Sequence, residues 1–545
     1  MTAAADQAAT NAQNLAGNST AVAVWTIVSR LTGFARIALV GAVFGPTYLG
    51  NLFLAINYLP NLALQFLGGS LIGSLLIPSL VPAVDRGDRK ATEELAGGFL
   101  GAALVGLGAA AVLAVLAAPL ILAVLSSGVE NRQVAADQQR LGWILMATTM
   151  PQLALYGVAL IGGAVMNAHG RFALAAAAPV AENIGVMATL VVVGIAFGTG
   201  TDVGSAGTDE LLVLGLGSTL AVVLHAGVML WGAHRTGVRL VPQRGWRIPV
   251  VRRLLRRMTA SFGQTSLTSL RFFAMLTVAN TVAAGVVAFQ LAVNFLYLPV
   301  QVGGWPIALA LLPTLSRLHV AGRLQAFRDE YARGIALIAF LTLPAAVAYA
   351  ILAGPLGRAV SFGEMAGSTG PALVAACLGG LALAVVGESV FQLATYVSYA
   401  RHDARSPFLA TAAGTAVSLA CLPVALSLDD GRARLLTIGI AWSAGTAFSA
   451  ALLHRRVRSL LPPPEHEATR SVLRTLAASA LMAGPAYLAS AAVAGVLDGP
   501  ASGLLGVLAA AAAGIVTFVG VQRLWRAPEL TYFAGGLRRL RPRDA

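Results

Sequence analysis

The chain is poor in charge. Only 11% of its 545 residues are Asp, Glu, Lys or Arg, where a soluble protein carries about 25%. Lysine is nearly absent: Lys90 is the only one. Cysteine is scarce too. Cys377 and Cys421 both lie in apolar runs, which argues for small core residues against a disulfide framework or a metal centre. No Gly-x-x-x-x-Gly-Lys phosphate loop is present, and His169 and His225 have no partners at metal-ligand spacing. No polar stretch is long enough for a soluble catalytic domain. A membrane glycosyltransferase or acyltransferase would need clustered carboxylates, and the loops at 126–140 and 428–434 hold only scattered ones. The expectation is therefore a protein that is not an enzyme and has no cofactor. Any work it does would draw on a Na⁺ or H⁺ gradient or on the membrane potential.

Apolar sequence is abundant. The chain is 57% hydrophobic, and a spanning helix needs about 20 mostly apolar residues. About 14 such segments begin near residues 20, 50, 94, 141, 171, 211, 259, 286, 334, 370, 407, 434, 472 and 502. The expected fold is an all-α polytopic membrane protein with about 14 transmembrane helices. The net charge is +14, and the arginines collect in loops of one parity. The loop between segments 6 and 7 holds Arg235, Arg239, Arg244, Arg247, Arg252, Arg253, Arg256 and Arg257. Loops of the other parity, such as 199–210 and 498–503, are poor in arginine. Positive loops stay on the cytoplasmic side, so both termini are expected in the cytoplasm, and the Arg-rich tail and Ala/Gly/Arg-heavy composition suggest the plasma (inner) membrane of a high-GC bacterium. The same arginines would attract anionic membrane lipids; nucleic acid is not an expected partner. Residues 1–19 have neither a basic leader nor a cleavage site and are expected to form a disordered tail.

Two stretches resemble each other. "LAINYLPN" from Leu54 leads through Pro78 and Gly87 into an acidic helix start, and "LAVNFLYLP" from Leu291 leads through Pro313 and Gly322 into another. The offset is about 236 residues, or six spans, so both copies should have the same orientation. This predicts two six-helix lobes related by a parallel pseudo-two-fold: an N-lobe at 20–234, a basic linker at 235–258 and a C-lobe at 259–456. Two further helices would occupy 457–526, before a basic tail at 527–545. Such twin bundles are a transporter architecture, with the substrate path between them.

Charges inside the apolar segments carry the functional signal. Arg30 and Arg36 lie within "AVWTIVSRLTGFARIALVGAVF". They are about 9 Å apart along a helix and about 120° apart around it. An intramembrane cation costs at least about 2.5–3.5 kcal/mol, so each should face a wet cavity or an internal partner. Arginine keeps its proton and grips phosphate bidentately. A lipid-linked anionic substrate is the sharper reading; an internal ion pair, or snorkelling of Arg36, is the alternative. Asn57, Gln264, Arg271, Gln290, Asn294 and Gln301 are further candidate substrate contacts, although intramembrane amides often only join helices. Glu388 could bind a coupling ion, or pair with Arg271 or a segment-1 arginine.

Several of these stretches are familiar. "SRLTGFARIALVGAVFG" (29–45), "NYLPNLALQFLGGSLIGSLLIPSL" (57–80), "MNAHGRFALAAAAPVAEN" (166–183), "LLPTLSRL" (311–318) and "YARHDARSPFLA" (399–410) resemble, in order, the MurJ (MviN) family of lipid II flippases. That family sits within the multidrug/oligosaccharidyl-lipid/polysaccharide exporter superfamily. The resemblance implies two six-helix lobes plus two helices and a cationic cavity in which Arg30 and Arg36 align with cavity arginines. It also implies movement of an undecaprenyl-diphosphate precursor of peptidoglycan to the outer leaflet by alternating access, and so a part in cell-wall biogenesis and cell shape. Neutral residues stand where the family commonly has charges: Ile37, Asn51, Leu64, Gln65, Gly69 and Asn294. Another lipid-linked glycan, or a drug exported against a cation, remains an alternative cargo. A non-transporting scaffold that recruits cell-wall synthesis proteins is another alternative. A monomer is expected.

Overall fold

A computed structural model describes residues 2–67, 69–253, 262–367, 369–462, 468–497 and 499–533. Every regular element among them is helical, and a helix falls at each expected segment. Among the described residues, eleven helices are long and apolar enough to cross a membrane, or twelve if the pair Thr369–Leu381 and Ala384–Ala400, bent by 42°, is one span. Two expected segments fall short of that test. One is split into Tyr48–Phe66 and Gly69–Asp85, with Pro60, Pro78 and Pro82 inside the two pieces. Proline removes a backbone donor and strains the turn before it. The other runs, among the described residues, from Phe262 to Ala279 and carries Gln264 and Arg271. Exposed side chains such as Leu116, Ile195 and Val516 suit contact with acyl chains.

The first helix runs Thr2–Phe44. It takes in residues 2–19, expected from the sequence as a disordered tail. The stretch is rich in alanine, the best helix former, with no proline to stop it.

The chain divides into two compact units, Met1–Phe273 and Ala274–Ala545. In the first, Leu76, Leu80, Phe99, Leu100, Ile161, Val165, Met166 and Met229, from four helices, form a core. Part of the sequence expected as a linker belongs to this unit. Gln243 N–H donates to Gly97 O at 2.9 Å, Arg239 N–H donates to the Glu93 carboxylate at 2.8 Å, and Val238 and Val251 are buried. A Cβ at Gly101 would lie 1.8 Å from Gln243 O, so only glycine admits the crossing strand of backbone. Residues 254–258 of that linker, and 534–545 of the expected tail, lie outside the described residues.

In the second unit, Leu315, Phe327, Tyr331, Ile338, Leu393 and Val397 form one core. The helices Ala468–Ala494 and Gly499–Leu524 pack on each other and on Leu324–Val360, through Phe340, Ala478, Met482 and Phe518.

The internal repeat has a physical counterpart in each unit taken separately. Gly87 has φ +66° and Gly322 φ +67°. Each follows a proline-containing helix and is closed by the same pair of bonds. Asp88 N–H reaches Ala83 O at 2.9 Å, and Arg323 N–H reaches Leu318 O at 3.0 Å. This left-handed cap is a glycine device. In each unit the segment before that cap is interrupted. In the first, the Tyr48–Phe66 helix ends at Leu67. In the second, a π-helical turn, Val300–Gly304, separates Gly285–Pro299 from Trp305–Val320.

Candidate functional site

The Phe172–Phe197 helix packs on Thr2–Phe44 and on Thr208–His234. Two adjacent side chains hold it to the first helix. Asn183 Nδ2 donates to Ser29 O at 3.2 Å and to Thr32 Oγ1 at 3.1 Å. Its neighbour Glu182 accepts from Arg36 Nη1 at 3.5 Å. Gly33, between the two arginines, faces the Asn183 amide, which would lie in ordinary van der Waals contact, 3.5 Å, with a Cβ there.

Glu182 has two shorter partners. The Tyr156 hydroxyl donates to Oε1 at 2.9 Å, and His225 Nδ1 lies 2.7 Å from Oε2. A carboxylate accepts, so His225 carries its proton on Nδ1. Its Nε2 is buried and has no hydrogen-bond partner among the described residues. Four helices thus bring an arginine, a carboxylate, a phenol and an imidazole together. A buried carboxylate in an apolar bundle is costly unless paired, and three donors meet this one. The contact to Arg36 is the loose one. At 3.5 Å it is well beyond the roughly 2.7–2.9 Å of a close charge-assisted bond, and the Arg36 side chain is 22% exposed.

Arg30 is exposed and makes no hydrogen bond or ion pair among the described residues. It stands within electrostatic reach of Tyr58, whose ring lies against Phe272 at 4.7 Å. Beside Tyr58, Asn57 Nδ2 is buried without a partner among the described residues. Arg271 is buried on Phe262–Ala279. That helix, which also carries Gln264, is tied to the Tyr48–Phe66 helix by Ser266 Oγ, 3.1 Å from Phe66 O. Arg30, Arg36, Asn57, Gln264 and Arg271 therefore all belong to the first unit.

Gln290, Asn294, Gln301 and Glu388 belong to the second. Asn294 Nδ2 folds back on its own helix to Gln290 O at 2.9 Å. Gln301 sits in the π-helical turn, where Gly304 passes so close to Ser389 that a Cβ would meet its hydroxyl at 2.4 Å. Glu388 accepts from Trp442 Nε1 at 3.1 Å.

The model of the family "Lipid II flippase MurJ" matches residues 40–498. The chain belongs to the MurJ family. A probable lipid II flippase MurJ of Vibrio cholerae is 25% identical over 62% of this chain and 63% of its own length. One of Rhizobium tropici is 25% identical over 73% of this chain and 74% of its own length. The Vibrio cholerae alignment thus spans somewhat less than two thirds of that protein. Among solved structures, a lipid II flippase MurJ in an inward closed conformation covers 92% of this MurJ family member and 98% of its own chain. Its TM-score is 0.69 at 16% identity. An inward-facing multidrug resistance MATE family transporter covers 79% and 95% with a TM-score of 0.62, also at 16% identity. At such identities the likeness concerns the fold.

Sequence reasoning found Arg30 and Arg36 but not the cluster around Glu182. In this family member Ile37 is apolar and 4% exposed. The carboxylate beside Arg36 comes instead from Glu182, 146 residues away. The available signal was a glutamate and a histidine in the middle of two apolar segments; spacing alone could not pair them.

Proposed function

We propose that this protein is a flippase-type transporter, with no covalent chemistry of its own. It carries a polyprenyl-diphosphate-linked cell-wall precursor, lipid II or a close analogue, from the inner to the outer leaflet by alternating access. Arg30 and Arg36 hold the diphosphate. The observation that carries this reading is an intramembrane arginine pair with spare binding capacity. Arg30 has no ion pair among the described residues, and Arg36 has only a 3.5 Å contact. Both stand in a chain that belongs to a family named for lipid II flippases. Guanidinium forks match diphosphate oxygens, and anion binding would offset the cost of keeping the arginines away from water. Asn57, Gln264 and Arg271 in the first unit, and Gln290, Asn294 and Gln301 in the second, are proposed to contact the head group. Glu388 is proposed as an ion site in the second unit. The reading places the chain in the inner membrane of a bacterium, as a monomer with both termini cytoplasmic.

The test is complementation. The gene is expected to sustain growth of a bacterium depleted of its own lipid II flippase, and Arg30→Gln, made at the same membrane level, is expected to fail. Normal growth with the variant would overturn the role of Arg30. A second reading, transport of a different lipid-linked glycan on the same scaffold, is favoured by the neutral residues Ile37, Asn51, Leu64, Gln65 and Asn294. It predicts failed complementation by the wild type together with binding of another polyprenyl diphosphate.

A further inference from the structure

The titratable cluster behind Arg36 goes beyond what gripping an anion requires. A structural counter-ion for Arg36 needs only a carboxylate. Here the carboxylate is also bonded to an imidazole, and the other nitrogen of that imidazole is an empty, buried acceptor among the described residues. His225 is 8% exposed and Glu182 9%.

We infer that Glu182 and His225 form a proton-binding site linked to anion binding at Arg36: when an anionic head draws Arg36 away, the pair takes up one proton on His225. The inference rests on the proposed grip of Arg30 and Arg36 on a diphosphate. In the unbound state the inference requires, the Arg36 cation, the Glu182 anion and a neutral His225 sum to zero. After Arg36 turns to the ligand, Glu182 is left facing a neutral imidazole and a phenol. An uncompensated buried charge is strongly unfavourable. A proton from water adds to the Nε2 lone pair, and the resulting imidazolium keeps its Nδ1–H bond to Glu182. No bond between heavy atoms forms or breaks. When the anion leaves, Arg36 returns to Glu182 and the proton departs. Imidazole is the side chain that performs this exchange near neutral pH.

The groups around the site are consistent with this division of labour. From the Thr2–Phe44 helix come Arg30 and Arg36, which remain cationic. From Gln152–Ala168 comes Tyr156, which donates to Glu182 and so keeps its proton. From Tyr48–Phe66 comes Tyr58, within electrostatic reach of Tyr156 and both arginines. From Thr208–His234 comes His225 itself. The long Arg36 contact is what lets the exchange proceed, because Glu182 keeps two shorter partners when Arg36 goes.

Linkage makes the effect reciprocal: if anion binding takes up a proton, lower pH tightens anion binding. The test uses the full-length purified protein in detergent and farnesyl diphosphate as probe. Titration calorimetry at pH 7 in buffers of different ionisation enthalpy counts the protons exchanged. Proton release by the probe is common to all samples and cancels between them. The wild type is expected to take up about one more proton per diphosphate than His225→Gln, and its affinity is expected to rise by up to about tenfold per pH unit as pH falls from 8, relative to that variant. Glu182→Gln is expected to bind more tightly than wild type at pH 8 and to lose the extra proton; it carries the test if His225→Gln does not fold. Equal proton uptake by wild type and variants overturns the inference and leaves the proposed function standing. Failure of the wild type to bind any isoprenyl diphosphate overturns both.

Discussion

Glu182 in the first unit and Glu388 in the second are both carboxylates within apolar helices, yet they are housed differently. Glu182 is enclosed by a cation, an imidazole and a phenol from three other helices. Glu388 is only partly buried and accepts from the indole of Trp442. The expectation drawn from sequence gave the ion-handling role to Glu388, because it was a conspicuous central charge. Around Glu182 the structure gathers two further titratable side chains, Tyr156 and His225. A site that exchanges protons needs titratable groups within bonding distance of each other, and proximity between helices is not written in any one helix.

The comparison can be broken at its functional end first. Arg30→Gln is expected to abolish complementation of a flippase-depleted strain, while Asn294→Ala, which removes one of several proposed head-group contacts and an amide otherwise bonded to Gln290 O, is expected only to slow growth. Growth of the first and failure of the second would reverse the assignment of units. On stability, Glu182→Ala removes the carboxylate from His225 and Tyr156 and leaves buried polar groups uncompensated, at a cost of about 3–5 kcal/mol. Thermal unfolding in detergent should therefore show a large fall for Glu182→Ala and a clearly smaller one for Glu388→Gln. Equal falls would mean that the two carboxylates are equally embedded.

A smaller effect is expected where the chain crosses the Arg89–Leu116 helix. Gly101→Ala forces a methyl against Gln243 O, an overpacking cost of about 1–3 kcal/mol. The displaced 238–251 segment should then be cut faster by trypsin after Arg239 or Arg244, and an unchanged digestion rate would contradict the docking. The smallest effect concerns Asp403, which caps the Arg405–Leu426 helix. Its carboxylate accepts from the N–H groups of Arg405 and Ser406 and from the Ser406 hydroxyl. Partial burial pushes that carboxyl up, but the Ser406 and Arg405 bonds outweigh it and hold it below the ordinary aspartate range. A lowered folded-state value means that the stabilisation is present above the ordinary aspartate range and is lost as pH falls below it. Asp403→Ala should cost about 1 kcal/mol at pH 7, and the difference from wild type should vanish in acid.

Much of the fold was legible because the bilayer imposes a coarse code. Runs of apolar residues mark helices, and Gly87 and Gly322 mark equivalent turns because a positive φ selects glycine. The docking of residues 238–251 left no trace, since Gly97 and Gly101 lie in a helix already rich in small residues. Arg30 and Arg36 stood out because charge in an apolar run is expensive. The Glu182 cluster did not, because its members come from four helices and any one of them alone reads as an ordinary polar exception.

The central claim is that Arg30 and Arg36 grip a diphosphate head within the membrane. The most direct measurement is translocation of a fluorescent polyprenyl-diphosphate glycan across proteoliposomes holding the wild type or Arg30→Gln/Arg36→Gln, each checked for folding by its thermal transition. The account expects movement with the wild type and none above empty liposomes with the double variant. Equal rates from the two proteins would contradict it.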